Sequence, residues 1–163
     1  MKHTLRILIP FMLLLQLPAA VFASNSYLNK VQKLLDSNET PDGVVFEISN
    51  KDKHYLNWAM PEAERLSKQL RARFPTLDIA IVTHGSEQFA LTKKRLAGNA
   101  PLKDQLKSLV DSDIQVHVCG THAEWKNVEA EEFTELVDVS AEGPAQINDY
   151  IKLGYVKIKI TKN

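Results

Sequence analysis

Cys119 is the only cysteine among 163 residues, and it stands in "QVHVCGTHAEW" (115–125) with His117 and His122 on either side. A thiol has two chemical uses: as thiolate it is a nucleophile, and it is also a soft metal ligand. The residues after it read as a helix start. Thr121-His-Ala-Glu124 matches the capping box S/T-x-x-E/Q, with Thr121 expected at the N-cap and Glu124 at N3. The sulfur would then lie beside the positive end of a helix, an environment that favours thiolates in general. One cysteine cannot bridge within its own chain. It is therefore an inert buried residue, an intermolecular partner or a reactive group.

The histidines widen the choice. His117 shares strand parity with Cys119, and His122 falls at the expected helix start. His117, Cys119 and His122 are thus one candidate ligand set for a soft metal such as Cu(I) or Zn(II). His84, in "THGSE", ends a different strand and can reach the same sheet edge. There an imidazolium would support a thiolate, and a neutral imidazole would take the thiol proton. It can equally be a loop histidine bonded to backbone. Gly85 after it permits a tight turn or a close backbone approach. A Cys-His hydrolase is the weakest option, because the sequence offers no clear orienting third residue or oxyanion loop. Trp58 and Trp125 read as packing residues, and "EAEE" (129–132) as solvated surface.

Strands alternating with helices must position these groups. Helical spacing places Tyr27, Leu28, Val31, Leu34 and Leu35 on one stripe, and "SNETPDG" (37–43) is a turn cluster. Strands are expected at 44–48, 77–82, 114–118, 136–139 and 155–160, and helices at 61–74, 101–111, 121–133 and 143–154. The segment 83–98 reads as a loop and a short helix stopped by Gly98. Pro61 suits a first helical turn, and Gly154 a helix stop. "LDIAIV" is apolar except for Asp78, as in a strand buried on both faces. Lys157 and Lys159 alternate with Val156, Ile158 and Ile160, which suits an edge strand. The pattern indicates a three-layer α/β/α sandwich with a mainly parallel sheet of about five strands.

Residues 1–23 read as an address. Lys2 and Arg6 precede an apolar run from Ile7 to Leu17, and Val21-Phe22-Ala23 offers small residues at −3 and −1 of a cleavage site. The run is too short and proline-broken for a span, which takes about 20 apolar residues. A Sec-type signal peptide and a periplasmic location are the expectation, leaving residues 24–163 as a single domain. Without Lys2 and Arg6 there are 18 basic against 20 acidic residues, and no basic block stands out. That argues against nucleic acid as a partner, and no second run of spanning length argues for a membrane.

"LDIAIVTHGSE", "SDIQVHVCGTHAEW" and "GPAQINDYIKLGYVKIKI", in that order, resemble the DsrE/DsrF-like sulfur-relay family, including its YchN-like members. The likeness covers roughly residues 44 to 160. It implies an α/β/α fold, often assembled as homotrimers or hexamers. It also implies a cysteine that accepts sulfane sulfur as a persulfide, and that position falls on Cys119. On this resemblance Cys119 and His84 would carry the chemistry, and Gly85, Gly120, Thr121 and His122 would border the pocket. No dissociable cofactor is implied, and the partner would be a thiol- or persulfide-bearing protein or a small sulfur compound. Such a carrier is a sulfurtransferase only in a loose sense. The alternative is an exported module that binds a soft metal or small ligand without catalysis. Intact-mass measurement on protein from its native host should give a chain beginning at Ser24 or within a few residues of it; a retained Met1 would refute the exported reading.

Overall fold

The structure, a computed structural model, describes residues 26–162. The signal-peptide expectation for residues 1–23 lies outside them. Five strands form one sheet: β1 (Gly43–Ile48), β2 (Asp78–Thr83), β3 (Ile114–Cys119), β4 (Asp138–Ser140) and β5 (Tyr155–Lys159). The sheet order is β4-β3-β2-β1-β5, and every pairing is parallel. The chain steps outward from β1 to β4, then crosses back to place β5 on the far side of β1.

The two faces are covered unequally. Helices α1 (Ser26–Leu35), α2 (Leu56–Arg73), α3 (Lys93–Ala97) and α4 (Ala100–Asp111) pack together on one face. Val44, Phe46, Ile48, Ile79, Ile81, Val116, Val118 and Ile158 point into that layer and belong to one continuous core. The other face is crossed by α6 (Gly143–Lys152) alone, whose Ile147 and Tyr150 cover Val45, Ala80 and Val82. Residues i and i+2 of a strand share a face, so this smaller core also fixes where Glu47 and His117 point. Among the described residues no helix is long and apolar enough to cross a membrane.

Two helices differ from expectation. Helix α2 begins at Leu56, so Pro61 lies inside it rather than in its first turn. Leu56, Ala59 and Met60 are fully buried, and closing that apolar stripe outweighs the hydrogen bond that Pro61 cannot donate. The helix expected over 121–133 is only α5 (Gly120–Glu124); Asn127, at φ 53°, turns the chain away, and a 3₁₀ turn follows at Ala130–Glu132. The remaining elements fall within two residues or so of their expected bounds.

Phe46→Ala removes a fully buried side chain from the thick layer and should cost about 3–5 kcal/mol. Tyr150→Phe removes only the hydroxyl that pairs Gln115 and His117 and should cost about 1–3 kcal/mol. Urea denaturation of the two variants checks both magnitudes and their order.

Candidate functional site

Cys119 ends β3 and is the N-cap of α5, and the residue is 5% exposed. The end of the strand is clipped in place by Gln88. The Gln88 amide oxygen accepts from the Cys119 N–H at 2.7 Å, and its amide nitrogen donates to the Cys119 carbonyl at 3.2 Å. Gln88 is completely buried, so neither bond competes with water. Next to it, the equally buried Glu87 carboxylate accepts from the Thr83 hydroxyl (2.6 Å), the Gly85 N–H (2.9 Å) and the Asn50 N–H (2.7 Å). These bonds hold the loop that carries His84. Gly85 must be glycine for space: a Cβ there would sit 2.2 Å from Glu87 Oε2 and 2.4 Å from the Asn50 carbonyl.

The thiol opens into a cleft of about 360 Å³ lined by His84, Thr121, His122, Trp125, Glu142 and Pro144. Two of these walls depend on Gly143. A Cβ on that residue would fall 2.6 Å from the His84 Cβ and 3.3 Å from the Cys119 Cβ. The absence of a side chain lets the start of α6 settle between the histidine and the cysteine.

The histidines are presented in complementary forms. His84 Nε2 lies 3.1 Å from Glu47 Oε1, so Nε2 carries the hydrogen and Nδ1 has no partner among the described residues. His122 Nδ1 donates to the His84 carbonyl at 3.0 Å, leaving Nε2 unpaired. The His122 ring packs edge-on against Phe89 with centroids 5.2 Å apart, and lies 6.2 Å from the Trp125 ring. Glu47 is itself surrounded by cations, with Lys157 Nζ at 3.2 Å and Lys159 Nζ at 3.3 Å. The His84 hydrogen bond is the largest influence on its carboxyl and, with both lysines, outweighs burial to hold it at about 2. It remains ionised throughout the physiological range.

Several expectations are corrected here. The capping box is not formed: Cys119 is the N-cap, and the Thr121 hydroxyl donates to the Ala141 carbonyl at 2.9 Å. Helix α5 is also only five residues long, too short to supply the field of a full helix. The His117, Cys119, His122 ligand set does not converge. His117 lies within hydrogen-bond reach of Tyr150 Oη (2.8 Å) and Ser140 Oγ (3.1 Å), and burial lowers its pKa, which keeps it neutral. Among the described residues no group of three or more His, Cys, Asp and Glu side chains is arranged to hold a metal ion. Trp125 is not a packing residue, being 76% exposed at the cleft mouth. Gly120 backs onto the Ser140 and Ala141 carbonyls rather than lining the cleft, and Gly85 borders an adjoining depression shared with His122.

A parallel α/β sandwich that brings one cysteine and one histidine from neighbouring strand ends to a common cleft defines a class of small thiol-bearing proteins. The sequence profile of the DsrE/DsrF-like family matches residues 44–160, and the chain belongs to that family. Its fold is similar to that of MTH1491 from Methanobacterium thermoautotrophicum, with a TM-score of 0.58 at 17% identity over 72% of this chain and 97% of that one. It is also similar to BT1422 from Bacteroides thetaiotaomicron, with a TM-score of 0.51 at 18% identity over 73% and 95% of the two chains. Both are described as proteins of unknown function, and such identities speak to fold alone. No protein of curated function matches the chain significantly.

The depressed Glu47 carboxyl has a pH signature. Its folded value lies below its ordinary 4.5, so its stabilising contribution is complete above that value and is lost as pH falls toward about 2. Urea midpoints of wild type and Glu47→Gln should therefore differ clearly at pH 6, and the gap should shrink below pH 4.5 and close only as pH reaches about 2. A gap that does not change with pH would remove Glu47 from this role.

Proposed function

We propose that the protein binds and relays sulfane sulfur as a persulfide on Cys119. The observation that carries this reading is the placement of the thiol: it is held by Gln88 at a strand end and faces a cleft that also contains His84. The family to which the chain belongs supplies the sulfur chemistry as the first expectation.

The step is a displacement at sulfur. Two ring nitrogens at the cleft are unpaired among the described residues, Nδ1 of His84 and Nε2 of His122, and the proposal gives the thiol proton to His84, the one steadied by a carboxylate. The Cys119 thiolate attacks the outer sulfur of a donor R–S–SH, a new S–S bond forms at Cys119, and the donor S–S bond breaks. R–S⁻ leaves with the electron pair and is protonated by His84, so there is no net oxidation. An acceptor thiolate then attacks the outer sulfur of the Cys119 persulfide and returns Cys119 to the thiolate. No dissociable cofactor is required. Glu47 orients His84 through Nε2, and the apolar wall of Trp125 and Pro144 shields the terminal sulfur from water.

The partner in this reading is a thiol- or persulfide-bearing protein or a small sulfur compound, met in the periplasm after removal of residues 1–23. A homotrimeric or hexameric assembly is part of the proposal. Ile151 and Leu153, 43% and 67% exposed at the end of α6, are the apolar residues that such an assembly would cover.

Incubation of the mature protein with a sulfane donor should add the mass of one sulfur atom, and Cys119→Ser should abolish the gain. His84→Gln should slow loading about tenfold or more while leaving the urea midpoint near that of Glu47→Gln. Wild-type protein that gains no sulfur, or gains it equally in Cys119→Ser, would refute the relay.

A further inference from the structure

A second concavity lies on the carboxyl-end rim of the sheet, around the corner from Cys119. Its volume is about 760 Å³, within the range of small-molecule sites. The loop after β1 contributes Lys51 and Lys53, α3 contributes Lys94 and Arg95, and the turn after α5 contributes Lys126. Ligands of parallel α/β sheets gather at these strand ends. The cations are scattered in sequence, so no basic block announces them; the fold assembles the patch.

None of these five cations has an ion-pair partner among the described residues. The contrast with other lysines is local and sharp. Lys93, adjacent to Lys94, pairs with Glu135, and Lys68, Lys107 and Lys152 each pair with a carboxylate on their own helix. The two acids at the cleft accept from backbone rather than from these cations, Asp52 from the His54 N–H and Glu132 from the Glu129 N–H. A chain of zero formal net charge thus gathers five cations against two carboxylates in one hollow, leaving it positive. Their mutual repulsion is relieved by an anion.

Size and surroundings choose the kind of anion. Phe89 and Val128 provide an apolar floor, which suits a ligand with an organic body as well as charged groups. A neighbouring depression of about 470 Å³ is also bordered by Lys53 and Arg95, so these two side chains serve both hollows. On the opposite rim, Glu129, Glu131 and Glu132 are exposed and would repel a strand of nucleic acid or an acidic protein segment leaving the cleft on that side. We infer that this basic cleft binds a small organic polyanion carrying at least two phosphate or carboxylate groups. The Phe89 ring of its floor also packs against the His122 imidazole at the Cys119 cleft, but the site does not require a reactive thiol.

Titration calorimetry of the full mature chain at low salt tests this, with pyrophosphate and citrate as the phosphate and carboxylate probes. At least one should bind with a Kd below about 1 mM and weaken steeply as salt is added. The Lys53→Gln/Arg95→Gln pair should weaken it about tenfold or more, whereas Lys33→Gln/Lys103→Gln, the same charge change elsewhere, should leave it within about twofold. Cys119→Ser should bind as wild type whether or not sulfur loading fails. Absence of binding by both probes, or equal losses in the two charge variants, would overturn the assignment. So would tighter binding in this cleft of an oligothymidylate or a polyglutamate peptide than of either probe.

Discussion

The fully buried Glu87 carboxylate is the constraint on which the carboxyl edge of the sheet depends. Three donors, the last side chain of β2 and one N–H from each of two loops, end on its two oxygens, and the neighbouring Gln88 closes a second pair of bonds onto the backbone of Cys119. A buried charge is tolerable only when it is hydrogen-bonded in this way. The consequence is positional: the ends of β1, β2 and β3, already paired with one another in the sheet, are also tied to one short 3₁₀ turn, Ser86–Leu91. His84 and Cys119 therefore keep their relation although neither contributes to the main apolar core.

The unequal layers explain why the chemistry sits where it does. The thick face is filled by four helices and has no room for polar groups beyond those fully paired. The thin face, with one helix, leaves space at its upper end for Glu47, His84 and the lysines of β5. Glu47 is nearly buried, and its charge persists because the His84 N–H and two lysines share it. The hollow next door has the opposite balance, with five cations against two carboxylates and no ion pair between them. Two adjoining clefts of contrasting chemistry result, one walled by rings and proline and the other by ammonium and guanidinium groups.

Much of this was legible in the residues. Apolar runs such as "DIAIVT" and the alternation in "YVKIK" give strands of the right place, and their number and parallel arrangement follow from the helices between them. The meeting of His84 with Cys119 was also readable, because both end strands that the pattern makes neighbours. What escaped depends on tertiary contact. Gln88 carries no local signal, since a glutamine in a loop looks solvated until a strand end is packed on it. Glu47 offered a signal that went unused: a lone carboxylate in an otherwise apolar strand needs a partner. Gly143 read only as a helix start, because the two side chains it must avoid are distant in sequence. The capping box failed for a related reason, since the Thr121 hydroxyl and N–H both donate to the Ala141 carbonyl just beyond β4, which pairs with β3.

The exposed Trp125 ring has a practical corollary. The chain contains only two tryptophans, and Trp58 is partly buried against the core near Tyr55 and Lys162 and does not line the cysteine cleft. Indole emission responds to water and to nearby polarisable atoms, so the light from Trp125 is a built-in gauge of what occupies the space above the thiol. Binding events there become visible without any attached dye, with the Trp58 signal serving as an internal reference.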